Sequence, residues 1–99
     1  MRLSARSAAI IAELARKHFG ADASVYLFGS RTDDALRGGD IDLYIEVPQE
    51  LGEKFQMEKA FSAELQRALG EQKNDVIVRD GQSALLPIHL EARNNGVRI

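Results

Sequence analysis

The fold of this chain is decided by residues 28–45, FGSRTDDALRGGDIDLYI. An apolar run at residues 25–28 ends in Gly29-Ser30, a polar loop follows, and a second apolar run occupies residues 41–47. Branched and aromatic side chains favour β-strands, and a glycine followed by polar residues favours a break between them. We therefore predict two strands joined by a loop, with the Gly29-Ser30 turn at the end of the first strand.

Two aspartates mark the start of the second predicted strand. Asp40 and Asp42 are two positions apart, and alternate residues of a strand project from the same face. Their carboxylates would repel each other unless a cation lay between them. The backbone N–H groups and the hydroxyl of Gly29-Ser30 are suited to hold a phosphate group. This pattern indicates a site for a metal-bound nucleotide.

Hydrophobic periodicity predicts the remaining elements. It favours helices over residues 4–19, 49–69 and 83–95, and strands over residues 24–28, 40–47 and 74–79. In the second strand, alternation places Ile41, Leu43, Ile45 and Val47 on one face and Tyr44 on the other, which predicts a well-buried central strand. Gly20 and Gly70 are predicted to end the first two helices, and residues 97–99 are too few to classify. The second helix carries an apolar stripe formed by Leu51, Phe55, Phe61, Leu65, Ala68 and Leu69.

A third aspartate, Asp75, lies at the start of the third predicted strand. If the second helix is a crossover between parallel strands, Asp75 lies at the same end of the sheet as Asp40 and Asp42. The first strand must then run antiparallel to the second, because only that direction brings Gly29-Ser30 to the same edge. We predict an α/β (α+β) fold in which a three-stranded mixed sheet packs with about three to four helices.

Each candidate site residue also has a plainer interpretation. Asp40 and Asp42 could be turn residues after two glycines, and the same holds for Asp75 after a helix. Ser30 could simply end its strand, and Arg31 could pair with a neighbouring acid instead of touching phosphate. We expect metal ligation by the three aspartates and phosphate contact by Ser30 and Arg31. Tyr44 is predicted to be a packing residue, with base stacking as the alternative.

Other polar and apolar residues are predicted to have no part in the chemistry. His18 and His89 have no companion ligands and are predicted to be surface or helix-end residues, while Arg79 and Arg93 are predicted to be solvated charges rather than a partner interface. Part of the apolar face of the last helix should join the core, and any exposed remainder would be a docking surface; this face comprises Leu85, Leu86, Ile88 and Leu90.

Size and composition restrict the function classes. Ninety-nine residues predict one domain over residues 1–99, too small for a separate substrate-binding domain, so we expect another molecule to supply the acceptor. A hydrophobic fraction of 44% and a charged fraction of 28% indicate a globular chain. The net charge of -2 argues against direct nucleic-acid binding, which usually requires basic surfaces.

Composition also bears on the compartment. The chain has no cysteine, which excludes disulfides and fits a reducing cytosol. It has no apolar run near the roughly 20 residues that a membrane span needs, and its N-terminus lacks the apolar core of a signal peptide. We therefore expect a cytoplasmic protein with no membrane partner.

The string G-S-R-x8-D-I-D-L at residues 29–43 resembles the signature of the nucleotidyltransferase superfamily that includes DNA polymerase beta. The chain looks most like the minimal nucleotidyltransferases, or MNT proteins, which are encoded beside HEPN-domain partners as toxin–antitoxin pairs. The resemblance implies a nucleotidyltransferase fold and a reaction in which AMP is transferred from ATP to a hydroxyl group of a HEPN ribonuclease toxin. The chain would then be the antitoxin of that toxin and would form a hetero-oligomer with it.

The resemblance also implies a role for each candidate residue. Asp40 and Asp42 would hold one Mg²⁺ ion, and a second ion shared with Asp75 would complete a two-metal clamp. Asp75 would in addition accept the proton of the acceptor hydroxyl. The triphosphate would be held by Gly29, Ser30 and Arg31.

Two alternatives remain open from the sequence. The first is a catalytically silent interaction module that neutralises a partner by binding alone. It is supported by Asp33 and Asp34, which stand where positive charge would be expected, and by the spacing of nine residues between Ser30 and Asp40, about one shorter than the family pattern. The second is transfer to a small molecule or an RNA end, which the size and the acidic balance of the chain disfavour.

Overall fold

The computed structural model describes residues 5–28, 41–70, 74–81 and 85–99. Its elements in chain order are α1 (Ala5–Phe19), β1 (Ser24–Phe28), β2 (Ile41–Glu46), α2 (Lys54–Leu69), β3 (Asn74–Arg79), α3 (Pro87–Asn95) and β4 (Val97–Arg98). Both β1 and β3 have the predicted bounds. Within the described ranges, no helix is long and apolar enough to cross a bilayer.

Two helices begin later than the sequence predicts. The segment before α2 is tied to the turn after β3, because Gln49 accepts a hydrogen bond from the N–H of Gly81 at 3.0 Å and Leu51 donates one to the Asp80 carboxylate at 3.0 Å. The Gln49 carbonyl, which would accept from the N–H of Glu53 in a helix that began at residue 49, is therefore already engaged. The start of α3 is set by Pro87, since a residue that precedes proline is driven into an extended conformation, as Leu86 is.

The strand orientations agree with the prediction, but the number of strands does not. The sheet order is β3-β2-β1-β4, with β2 and β3 parallel across the α2 crossover and β1 antiparallel to β2. The predicted three-stranded sheet is wrong by one strand, because Val97 and Arg98 pair with β1 as its outer neighbour. Gly96 allows this return to the sheet, since a Cβ there would clash with the carbonyl oxygen of Ala92.

One face of the sheet packs against α1 and α2 and forms the core. The alternation predicted for β2 is confirmed: one face of the strand is almost completely buried, through Ile41, Leu43, Ile45 and Val47. From the helices, the rings of Phe19 and Phe61 meet edge to face at a centroid distance of 5.4 Å. Lys17 and His18 of α1 bind Glu64 of α2 at 3.0 and 2.8 Å, at the rim of the same contact.

The predicted stripe on α2 is wrong at Ala68, which is exposed, and most clearly at Phe55. The Phe55 ring is 64% exposed, whereas Phe61 and Leu65 are completely or almost completely buried. Phe61 lies six positions after Phe55, and at about 100° per residue that spacing turns the two side chains about 120° apart. The Phe55 ring lies instead under the Nζ atom of Lys59, which is 4.5 Å from its centroid.

The second face of the sheet is covered by α3. The helix contacts β1 and β2 and buries His89 and Ala92 against them. His89, predicted as a surface or helix-end residue, lies in the first turn of α3 but is buried there. The four apolar residues predicted to lie partly in the core are all exposed by 40% or more: Leu85, Leu86, Ile88 and Leu90.

Candidate functional site

The candidate site lies at the edge of the sheet where β2 and β3 begin. Asp42 and Asp75 are register partners on these two parallel strands, which places their backbones about 4.8 Å apart. The next partners, Leu43 and Val76, face the core, so both aspartates project from the opposite face of the sheet. Asp42 is half-buried and Asp75 is exposed. Two of the three predicted carboxylates are therefore neighbours on one face and one edge.

The end of β1 reaches the same edge. Phe28, the last residue of β1, is the antiparallel partner of Asp42. The chain therefore leaves β1 beside the carboxylate pair, as the antiparallel direction of β1 requires. Four predicted site residues lie outside the described residues, and their roles stay predictions: Gly29, Ser30, Arg31 and Asp40.

The chemistry of this edge suits a hard divalent cation. Two neighbouring carboxylates repel each other and offer the oxygen ligands that Mg²⁺ prefers. Over residues 5–28, 41–70, 74–81 and 85–99, no group of three or more His, Cys, Asp or Glu residues is arranged to hold a metal ion. The third carboxylate predicted for the site, Asp40, lies outside these ranges, so Asp42 and Asp75 fit the cation as two of its ligands.

Helix α3 lies on the same face of the sheet as the two aspartates. The ring of His89 stacks on Tyr44 at a centroid distance of 5.4 Å, and Arg93 donates a hydrogen bond to Glu46. Gly96, directly after the helix, lies against Phe28 of β1. Since Phe28 is the register partner of Asp42, the C-terminal end of α3 reaches the carboxylate edge.

Tyr44 is a packing residue, as the sequence predicts. Its side chain is completely buried, with the ring of Tyr26 stacked at 5.7 Å and that of His89 at 5.4 Å. The Nδ1 atom of His89 accepts a hydrogen bond from the N–H of Leu86 at 3.1 Å, which fixes the ring at the start of α3. A ring enclosed in this way offers no face to a nucleotide base.

The predicted solvated arginines are instead part of a polar cluster around Glu46. The hydroxyl of Tyr44 donates to Glu46 Oε2 at 2.6 Å, Arg93 donates to the same oxygen, and Arg79 Nη1 lies 3.7 Å from it. The prediction is wrong because β2, β3 and α3 bring these side chains together over a partly desolvated sheet face.

Burial and charge shift the pKa values within this cluster. Burial raises the pKa of Tyr44 to about 12, and the hydrogen bond and charge of Glu46 add to the effect. Burial also works against ionisation of Glu46, but hydrogen bonds from Tyr44 and Arg93 and the charges of both arginines outweigh it and lower the pKa of Glu46. The hydrogen bond to Glu46 in turn raises the pKa of Arg93. Glu46 is thus held as a carboxylate.

Sequence reasoning missed this cluster, although a signal was present. The alternation that places Asp42 on the second face of β2 places Tyr44 and Glu46 on that face too. Arg79 on β3 is the register partner of Glu46 and lies on the same face. Extending the period of two along both strands would have placed these polar residues on one face. The contribution of Arg93 could not be found in this way, because it comes from α3.

A groove of about 460 Å³ lies at the opposite end of β2 from Asp42. Its lining residues come from the start of β1, the ends of β2 and β3, and the adjoining turns: Asp22, Ser24, Glu46, Val47, Pro48, Arg79 and Gly81. The groove could not be predicted from the sequence, because its walls meet only in the assembled sheet.

Comparison with known proteins supports the resemblance at the family level. A family model described as a nucleotidyltransferase domain matches residues 9–90 of the chain. The matched range runs from α1 into α3 and includes all six predicted site positions. A comparison with proteins of curated function gave no match.

Proposed function

We propose that this chain, which belongs to the nucleotidyltransferase domain family, transfers AMP from ATP to a hydroxyl group of a partner protein. The observation that carries the proposal is the register of Asp42 with Asp75 on neighbouring parallel strands. That register brings two carboxylates together beside the end of β1, where Phe28 faces Asp42. The sequence predicts the phosphate-binding turn immediately after Phe28.

Each predicted site residue has a role in this reaction. When bound, Mg²⁺ supplies positive charge to the triphosphate and the departing pyrophosphate. Asp40, Asp42 and Asp75 would hold the metal, and Asp75 would in addition accept the proton that the acceptor hydroxyl loses as it bonds to the α-phosphate. The triphosphate would be held by Gly29, Ser30 and Arg31. Positioning and charge stabilisation account for most of the catalysis in such a transfer.

Exposed apolar side chains around the start of α3 support a protein partner. Leu85 and Leu86 precede α3, Ile88 lies in its first turn, and all three are 40% or more exposed. Apolar side chains grouped on a surface favour contact with another protein. On the resemblance to MNT proteins, we propose a HEPN-domain ribonuclease toxin as the partner and an antitoxin role for this chain.

The experiment is co-expression with a HEPN-domain protein encoded by a neighbouring gene, followed by mass spectrometry of that protein. We expect an added AMP on a hydroxyl side chain such as that of tyrosine, with the wild-type chain and with Asp22→Asn, a matched change of an exposed carboxylate. Asp42→Asn should abolish the modification while the far-UV circular dichroism stays unchanged. A folded Asp42→Asn chain that modifies the partner at the wild-type rate would contradict the assignment.

A catalytically silent interaction module is the second candidate. Asp33 and Asp34 follow the predicted phosphate-binding residues, and their negative charges would oppose a triphosphate. Measuring ATP binding with and without Mg²⁺ separates the two candidates. ATP binding that requires Mg²⁺ and Asp42 supports transfer. The silent module is supported if the chain does not bind ATP and inhibits its partner without modifying it.

A further inference from the structure

Arg79 at the end of β3 has one buried hydrogen-bond donor without an acceptor. Within the described ranges, its Nε atom is buried and has no hydrogen-bond partner, as is also true of the Nε atom of Arg93. The Nη1 atom of Arg79 forms an ion pair with Glu46 Oε2 at 3.7 Å, which is longer than a hydrogen bond. That carboxylate oxygen already accepts from Tyr44 and Arg93. Since buried donors are nearly always satisfied, Glu46 does not use the full hydrogen-bonding capacity of the Arg79 guanidinium.

The guanidinium lines the groove at the end of the sheet. The side chain of Arg79 is 24% exposed, and the groove of about 460 Å³ is large enough for a small organic ligand. Across the sheet, Arg79 is in register with Glu46 and Glu46 with Ser24, so the three residues form one row on the same face. Arg98 reaches the far end of this row, with Nη2 3.4 Å from Ser24 Oγ.

Arg79 forms an ion pair with Glu46 at 3.7 Å but no hydrogen bond with it, so its Nη groups can also bind an anion. Glu46 is neutralised mainly by Arg93, which bonds it directly. The other carboxylate of the lining, Asp22, is exposed to water and accepts a hydrogen bond from Gln49 at 3.1 Å. Neither carboxylate makes a hydrogen bond with Arg79 in the part of the chain that the structure describes.

We propose that this groove binds an oxyanion group, a carboxylate or a phosphate, on Arg79, with Ser24 and Arg98 on the other side. The planar guanidinium presents paired N–H donors that match two oxygens of either group. Glu46 and Asp42 are four residues apart on β2, which is about 13 Å along the strand. The oxyanion site is therefore separate from the carboxylate edge and does not depend on nucleotidyl transfer.

The buried Nε–H of Arg79 provides a direct reporter of binding. A buried N–H exchanges slowly with water, so its signal should be visible by ¹H–¹⁵N NMR and identified by its loss in Arg79→Gln. The chain is titrated with inorganic phosphate, acetate, and sodium chloride at matched ionic strength. We expect a saturable shift of this signal with phosphate or acetate and none with chloride. A shift with one anion alone identifies the group that is bound, and no saturable shift with either anion would overturn the proposal.

Matched variants test whether the site is built from these residues. Arg79→Gln should weaken anion binding at least about tenfold, because a charge-assisted pair is lost. Arg67→Gln removes an equal charge from the exposed last turn of α2 and should bind as the wild type does. Wild-type affinity in a folded Arg79→Gln chain would refute the site. If that variant does not fold, Arg98→Gln replaces it, with an expected loss of severalfold, and an unchanged affinity there would refute the site equally.

A third variant separates this site from the predicted phosphate-binding turn. Ser30→Ala should leave the Arg79 signal and its response to anions unchanged, whether or not the chain transfers nucleotides. If Ser30→Ala abolishes the response, the anion binds at the turn and the groove is not its site.

Discussion

Arg93 on α3 and Tyr44 on β2 donate hydrogen bonds to the same oxygen of Glu46, and this shared acceptor joins the helix to the second face of the sheet. The Glu46 side chain is 22% exposed, so most of its surface is desolvated. A carboxylate in this position is favourable only because hydrogen-bond donors and two guanidinium charges surround it. The stability of the fold should therefore depend on the charge of this single group.

The first prediction concerns removal of that charge by Glu46→Gln. We expect a loss of about 1–3 kcal/mol in the free energy of unfolding at neutral pH, because buried donors lose their ionic acceptor. Glu91→Gln, an exposed position on α3, is the matched control and should have little effect. Urea denaturation of both variants measures the difference. Equal stability of the two variants would show that the cluster contributes nothing.

The pH dependence of stability follows from the lowered pKa of Glu46. Since the native state binds this proton less readily than the unfolded state, the stabilisation is present above the ordinary value of 4.5 and is lost as the pH falls below it. Unfolding measured between about pH 7 and pH 3 should show a smaller acid-induced loss in Glu46→Gln than in the wild type. Parallel curves for the two proteins would contradict this assignment.

Tyr44 should make the protein sensitive to alkali. Its pKa is raised from 10.0 to about 12, so the native state keeps this proton over a range where the unfolded state releases it. The stabilisation is therefore complete below about pH 10 and is lost as the pH rises toward 12, by about 2–3 kcal/mol. Tyr44→Phe should lack this component of the alkaline loss in urea unfolding. A wild-type alkaline profile in that variant would exclude Tyr44 as its source.

Asp75 provides a test of the carboxylate edge that is independent of Asp42. Because Asp75 is exposed, Asp75→Asn should fold normally, and as the proposed proton acceptor it should lower kcat about a hundredfold or more. Transfer is followed by the appearance of AMP on the partner protein, with Asp22→Asn as the control. Full activity in Asp75→Asn would remove this residue from the mechanism.

Two phenylalanines of α2 give a matched comparison of packing. Phe61 is completely buried, so Phe61→Ala should cost about 3–5 kcal/mol of unfolding free energy. Phe55 is 64% exposed, and Phe55→Ala should cost less than about 1 kcal/mol. Thermal or urea unfolding distinguishes the two results. A large cost at Phe55 would mean that the apolar stripe extends to this position after all.

Much of the fold could be predicted from the sequence, because local chemistry specifies it. The period of two in residues 41–47 identified the buried face of β2, and Gly20 and Gly70 ended their helices at positive φ angles of 108° and 92°. The directions of β1 and β3 followed from requiring one edge for the Gly29-Ser30 turn and the aspartates. The register of Asp42 with Asp75 agrees with that requirement. The roles assigned to the site residues remain predictions.

The sequence failed where a residue's surroundings come from distant segments. Periodicity predicted that the second helix begins at residue 49, but the contacts of residues 49–51 with the turn after β3 delay its start to Lys54. Two residues at 97–98 carry too little pattern to identify a strand, and β4 forms only because Gly96 lets the chain approach β1 closely. Arg79 and Arg93 were predicted to be solvated because their partner Glu46 lies on a different segment of the chain.

The sequence by itself determined the family, the strand directions, the core face of β2 and the positions of the candidate carboxylates, because these depend on residue order and on the periods of helix and strand. Only the tertiary structure decided that α3 covers the second face through a polar cluster at Glu46, that a fourth strand closes the sheet, and that a groove opens beside Arg79. The physical reason is that hydrogen bonds, burial and close approach between separate segments depend on distances in space, which a linear pattern does not contain.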